Sequence, residues 1–379
     1  MTWVLYFMHG TFSFLLNGMG PVIPFLRAEF KMSYTVSSLH FSAFAVGMLV
    51  AGMLTNRLTD RFGRRKVFWW AAFGMAGSLV IFLAGSHPVI TIGGALLVSS
   101  TGAFLSVISP ATLAERYGDL RAVALSEGSM INSICGGLAP ALVGFCVKMG
   151  WGWRGAMLTV IAVIVLFKIF FGRVTFPEAA SAKSRRAQAK LPLAYWAWWT
   201  IILLGVAVEF CIIFWSATFF EVERGVARTT AAFAISIFLG AMVAGRFAGS
   251  VLSRKINSIS MIVSSSTLCL AGFLLHWLAS PVWLAMLGLF LAGLGVANFY
   301  PQIFSLAVGT AMAQTDLASA RMSVSSGLAV LSLPLLLGAL ADRIGLASAY
   351  GVVVILLVLI GVGTLVIHYS SFTTQKRRT

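Results

Sequence analysis

The chain has 379 residues, of which 59% are hydrophobic and 10% charged, and its mean hydropathy is +0.94. A water-soluble domain carries about 25% charged residues, so this sequence lacks the polar surface of a soluble enzyme, a nucleic-acid module or a disordered chain. The net charge of +16 does not imply a nucleic-acid partner, because the basic residues gather at the ends of apolar segments on alternate loops, which is a topological signal.

Gly, Pro and charge punctuation divides the chain into twelve apolar segments, at 3–26, 33–58, 67–85, 88–114, 121–147, 153–173, 194–220, 228–253, 257–279, 281–312, 317–341 and 346–370. A bilayer helix needs about 20 apolar residues. Val67–Ala114 and Ile256–Thr315 contain no Asp, Glu, Lys or Arg, and each is long enough for two crossings. The expected fold is an all-α membrane protein with twelve transmembrane helices in two six-helix bundles, residues 1–173 and 194–379.

The first segment lacks a basic leader and a small-residue cleavage site and reads as a retained helix. It carries Tyr6, His9, Ser13 and Asn17 at helical spacing, so all four share one face. A polar stripe against lipid is costly, so this face should meet a cavity or another helix. Ser13 and Asn17 are candidate substrate contacts. His9 is a candidate proton carrier, with a packing role as the rival reading. The loop after segment 2 reads Asn56-Arg-Leu-Thr-Asp60-Arg61-Phe-Gly63-Arg64-Arg65-Lys66. Asp60 can accept charge-assisted hydrogen bonds, and Gly63 permits a turn with positive φ.

Segment 5 contributes Glu127, two turns from one membrane edge, and Asn132, a weaker substrate candidate. Residues 174–193, with Pro177, Lys183, Arg185, Arg186 and Pro192, read as a linker. Segment 7 holds Glu209 near its middle, beside Phe210 and close to Phe214. An intramembrane carboxyl is costly unless paired or hydrated and marks a functional site by default; Glu209 can take up a proton from one side and release it to the other. In segment 10, Asn298 and Gln302 are four residues apart and flank Tyr300 and Pro301. Pro301 removes a helix hydrogen bond and frees a carbonyl, as at broken-helix binding sites. These side chains can contact substrate or hydrogen-bond a neighbouring helix.

The two halves resemble each other. Gly47-Met-Leu-Val-Ala-Gly52 matches Gly240-Ala-Met-Val-Ala-Gly245; Gly102 and Pro110 match Gly293 and Pro301; Pro140 and Gly144 match Pro334 and Gly338. The offsets of 193, 191 and 194 argue for duplication of a six-helix unit, the design that underlies alternating access. At the last offset Glu127 corresponds to Arg321, and a pair between them would form an inner gate. Only seven of the 27 basic residues, Arg27, Lys31, Lys148, Arg154, Arg224, Arg228 and Arg343, fall on odd-to-even loops. That asymmetry places both termini in the cytoplasm of an inner (plasma) membrane.

The loop from Asn56 to Lys66 resembles the signature loop of the major facilitator superfamily, Gly-x-x-x-Asp-Arg-x-Gly-Arg-Arg/Lys, with Asn56 in place of the first Gly. The twelve segments, the linker and the repeat extend the resemblance along the whole chain. A second copy, Gly249-Ser-Val-Leu-Ser253-Arg254-Lys255, is degenerate, with Ser253 where an Asp would stand. The resemblance implies that segments 1, 4, 7 and 10 line a cavity. It also implies that Asp60, Arg61, Gly63, Arg64 and Arg65 form a latch whose partner is Arg321, and that Arg246 belongs to the degenerate motif. For the three arginines the rival reading is anchoring to lipid headgroups. Gly293-x-Gly295 followed by Asn298-Phe-Tyr-Pro301, and Gly18-x-Gly20-Pro21-x-x-Pro24, are similar to the fucose-permease-like group, although Gly20 stands near the place of that group's acid in segment 1 and segment 4 has no acid before Glu115.

Cys135, Cys146, Cys211 and Cys269 all lie in apolar segments without ligand spacing, no Met pair has copper-carrier spacing, and no Walker A motif occurs. No metal, cofactor or ATP-driven step is expected. Apart from Arg246, no Arg or Lys falls deep in a segment, which leans toward a neutral, zwitterionic or monovalent substrate. The expectation is a monomeric secondary transporter, a proton symporter of a small organic solute. A proton-driven drug or metabolite exporter and a transport-silent membrane sensor are the alternatives.

Overall fold

A computed structural model describes residues 1–117, 121–172, 174, 176, 191–311 and 315–376. Among them every regular element is a helix: α1 (Thr2–Phe30), α2 (Tyr34–Phe62), α3 (Arg64–Ala84), α4 (Pro88–Tyr117), α5 (Arg121–Lys148), α6 (Gly152–Phe171), α7 (Leu193–Arg224), α8 (Arg228–Leu252), α9 (Ser258–Leu278), α10 (Val282–Val296), α11 (Phe299–Gly309), α12 (Thr315–Ile344), α13 (Leu346–Tyr350) and α14 (Val352–Lys376). Most of the linker and the last three residues lie outside the described residues.

Among the described residues, eleven helical stretches are long and apolar enough to cross a membrane. The 29-residue α1 is not among them, because His9, Asn17 and its glycines and prolines dilute its hydropathy. The expected tenth segment is two helices, α10 and α11, interrupted at Ala297–Asn298. Both residues keep right-handed geometry, φ −50° and ψ −31° at Ala297 and φ −99° and ψ −8° at Asn298, so this is a kink and not a loop. Pro301 has no amide hydrogen to offer the Ala297 carbonyl, which explains the site of the interruption.

The chain forms two compact units: Met1–Ser184 with Ser216–Glu221 and Gly225–Ser236, and Arg185–Trp215 with Val222–Arg224 and Ile237–Thr379. In the first, α1 packs on α5, and α4 packs on both α2 and α3. Close approach depends on glycine at particular points. A Cβ on Gly47 of α2 would come within 2.6 Å of the Leu96 carbonyl oxygen of α4, and one on Gly94 of α4 within 2.7 Å of the Phe82 backbone in α3. Phe12 and Phe44 stack at 5.7 Å between α1 and α2. In the second unit α9 packs on α10 through Gly272, Gly288 and Gly295, where an added Cβ would strike the facing backbone. Ser266 Oγ donates to the Leu357 carbonyl at 3.0 Å and ties α9 to α14. In lipid, close van der Waals packing and such hydrogen bonds must supply helix association, since hydrocarbon competes for apolar faces.

Candidate functional site

The signature loop turns at Gly63, whose φ of 82° and ψ of 142° end α2 and start α3. A side chain is strained there. The three arginines that the sequence treats alike separate into three roles. Arg64 is buried, and its Nη1 and Nη2 donate to Glu115 Oε2 and Oε1 at 2.6 and 2.9 Å. This bidentate pair bolts the first turn of α3 to the last turn of α4. Arg65 Nη2 donates to the Gly172 carbonyl just beyond α6 at 2.8 Å, and the Arg61 guanidinium lies 5.2 Å from the Phe62 ring centroid. Asp60 is exposed on the last turn of α2. Glu115 was not a candidate in the sequence. The available signal was that it ends a charge-free stretch at the same membrane edge as the basic loop.

On α1 the predicted polar face is real. Buried Tyr6 donates its hydroxyl to Glu127 Oε2 at 2.9 Å. Asn17 Nδ2 donates to the Ser13 carbonyl at 2.9 Å and reaches Ser13 Oγ at 3.3 Å. Gly136 of α5 lies directly against this pair, since a Cβ there would come within 2.7 Å of both Asn17 Nδ2 and Ser13 Oγ. Asn132 is one turn earlier on α5, and its buried Oδ1 has no hydrogen-bond partner. Such an acceptor is costly unless a donor arrives. Ser13, Asn17 and Asn132 therefore sit on the α1 and α5 faces that meet at Gly136. His9 is half-buried on the same stripe.

The second unit gathers a charged group around Glu209. Arg246 of α8 and Tyr300 of α11 both stand within electrostatic reach of its carboxyl. Glu209 is thus not an isolated acid, and Arg246, assigned from the sequence to the degenerate loop, lies in its field. The Tyr300 ring stacks on Phe304 at 5.7 Å. Asn298 is buried, and a Cβ on Gly249 of α8 would collide with its Oδ1. It therefore occupies a helix–helix position against α8, while Tyr300 is exposed and Gln302 half-buried. Exposed Arg321 lies 5.4 Å from the Trp196 ring centroid, and its carbonyl accepts from Trp199 Nε1 at 2.9 Å. Among the described residues, no group of three His, Cys, Asp or Glu side chains could hold a metal ion.

The family model described as Major Facilitator Superfamily matches residues 2–313. The chain belongs to the Major Facilitator Superfamily. It is thus a multi-pass membrane transport protein and not an enzyme. An uncharacterised transporter of this superfamily from Yersinia pestis is 24% identical over 365 residues, covering 91% of this chain and 91% of that one. A glucose/galactose transporter of Brucella abortus is 25% identical, covering 92% and 88%, and a multidrug resistance protein of Citrobacter koseri is 25% identical, covering 77% and 74%. Among solved structures, a bacterial homologue of the human lysosomal transporter Spinster, inward-facing and occupied, has TM-score 0.81 at 15% identity over 97% of this chain and 96% of that one. A D-xylose–proton symporter has TM-score 0.73 at 14% identity over 95% and 96%. These likenesses show the superfamily fold.

Proposed function

We propose that this superfamily member is a proton-coupled symporter that moves a small organic solute across a bacterial inner membrane by alternating access. In this reading it acts as a monomer, crosses the membrane twelve times with α1 as the first crossing, and keeps both termini in the cytoplasm. Residues 1–173 and 194–379 are the two moving halves, and 174–193 is the cytoplasmic linker. The observation that carries the reading is Glu209, a carboxyl in the middle of a membrane helix with Arg246 and Tyr300 in electrostatic reach. An ionised Glu209 is held by the Arg246 charge. A protonated one releases it, so loading the proton changes which interactions hold α7, α8 and α11. A group coupled in this way biases a two-state equilibrium through its differential contacts.

Ser13, Asn17 and Asn132 of the first unit and Tyr300 and Gln302 of the second supply solute hydrogen bonds; Asn298 orients the α10–α11 kink. Glu127 and His9 are secondary proton groups. Asp60, Arg61, Gly63, Arg64 and Arg65 form the latch loop, with Arg246 and Arg321 as further gating residues. The orphan Asn132 carbonyl oxygen favours a solute with hydroxyl or amine donors. The D-xylose–proton symporter and the glucose/galactose transporter are consistent with that chemistry. A proton-driven exporter is the second reading, favoured by the similarity to a multidrug resistance protein.

The test begins with a thermal-shift screen of sugars, amino acids, organic acids and lipophilic cations on purified protein, because a ligand that binds only the folded state raises the melting temperature. The hit is then followed in proteoliposomes under an imposed pH gradient. Accumulation down the proton gradient supports symport. Movement of solute against the direction of proton flow supports export instead, and no gradient dependence defeats both proton-coupled readings.

A further inference from the structure

The first unit contains a cleft of about 470 Å³ between α1, α5 and α6 that the transport reading does not use. Phe7 and Phe14 of α1, Leu138, Ala141 and Phe145 of α5, and Val163 of α6 form its walls, and Gly10 lies against Cys135, whose Sγ a Cβ there would meet at 2.6 Å. Two hydroxyls reach its lining, and both are committed to their own helices: Thr11 Oγ1 donates to the Met8 carbonyl at 2.7 Å and Thr159 Oγ1 to the Ala156 carbonyl at 2.6 Å. A buried water needs two to four polar partners, and beyond these hydroxyls the lining adds only the weakly polar thiol of Cys135. The cleft is also not sealed, since Leu138 and Phe145 are 56% and 50% exposed. An open apolar cleft at this depth of a membrane helix is filled by hydrocarbon.

Its dimensions say which hydrocarbon. From Cys135 to Phe145 the α5 wall rises through ten residue steps, roughly 15 Å at 1.5 Å per residue, which is half of a hydrocarbon core about 30 Å thick. It thus runs from the middle of α5 to its C-terminal end, the depth of one leaflet. At that end Phe145 meets Trp151 edge-on at 6.4 Å, and Trp151 and Lys148 are exposed. An amphipathic indole and an ammonium belong at the headgroup level. We infer that the α1–α5–α6 cleft is a binding site for one acyl chain of a membrane phospholipid, with its headgroup beside Lys148 and Trp151.

The test is photo-crosslinking of the full chain in phosphatidylethanolamine–phosphatidylglycerol vesicles doped with either of two diazirine phospholipids, one labelled at the tail end and one beside the acyl carbonyl, with adducts mapped by peptide mass spectrometry. The tail-end probe should mark the Cys135–Leu138 region, and the carbonyl-proximal probe the region of Phe145. Each should label several-fold more heavily than at Leu336 and Ile355, which are 61% and 59% exposed elsewhere in the chain. Ala141→Phe and, independently, Val163→Phe should fill the cleft and remove that excess without changing labelling at Leu336 and Ile355. Equal labelling at all these positions, or an excess that survives both substitutions, would overturn the site in favour of an ordinary lipid annulus. Rapid reaction of Cys135 with a charged, membrane-impermeant maleimide would overturn it by showing water in the cleft; Cys146, Cys211 and Cys269 are buried and do not confuse this readout.

Discussion

The α4 helix and the α10–α11 pair are corresponding segments of the two repeats, and they have diverged in opposite directions. Pro110 sits inside an unbroken α4 that ends in a bolt, Glu115 on Arg64. Its counterpart Pro301 follows an interruption, and Leu306 stands at the offset of 191 from Glu115. The same asymmetry runs through the repeated glycines. In Gly47…Gly52 the first glycine makes the close approach to α4 and the second has open space around it; in Gly240…Gly245 the roles are reversed, with Gly245 against Leu294 and Ala297. A shared sequence pattern therefore does not mean shared mechanics. The first unit is bolted at its signature loop, and the second kinks between α10 and α11.

The strongest way to break the comparison is at the bolt. Arg64→Ala leaves Glu115 without its partner, and removing one member of a buried pair costs about 3–5 kcal/mol. The partial exposure of the Glu115 side chain, 34%, puts the expected loss at or below the low end. The melting temperature should fall by several degrees, while Arg65→Ala, on an exposed contact, should change it little. A charge swap, Arg64→Glu with Glu115→Arg, should recover part of the loss.

The glycine pairs sharpen it next. Gly47→Ala and Gly245→Ala should each destabilise by about 1–3 kcal/mol, the usual cost of overpacking, because the added Cβ would meet backbone at 2.6 and 2.7 Å. Gly52→Ala and Gly240→Ala have nothing within 4 Å and should be neutral or slightly stabilising, by up to about 1 kcal/mol, as helix propensity dictates. Thermal unfolding of the four variants in detergent reads this directly. Equal effects at repeat-equivalent positions would contradict the asymmetry.

Smaller effects follow at the kink and at the α1 stripe. Pro301→Ala restores an amide to the Ala297 carbonyl and should slow solute exchange while raising thermal stability; Pro110→Ala should alter exchange less. Tyr6→Phe deletes the bond to Glu127 and should cost about 0.5–1.5 kcal/mol, with transport largely kept.

Much of this was legible in the sequence, for identifiable reasons. Charge-free stretches and turn residues announce helices because hydrocarbon tolerates little else, and the spacing of Tyr6, Ser13 and Asn17 on α1 fixes a common face whatever the neighbours. Gly63 declared its turn, and Pro301 declared the kink. What was not legible depends on which helix lies alongside. Arg64 and Glu115 are 51 residues apart, and nothing local reveals that the guanidinium turns inward while Arg65 reaches the end of α6. Asn298 shares a spacing with Gln302, yet α8 claims it through Gly249. Arg246 reads as loop until α7 brings Glu209 into its field.

The central claim is that Glu209 carries the coupling proton, and the direct measurement compares two fluxes in proteoliposomes containing Glu209→Gln. The account predicts that solute counterflow persists while accumulation driven by a pH gradient is lost. Accumulation at the wild-type level in that variant would contradict it.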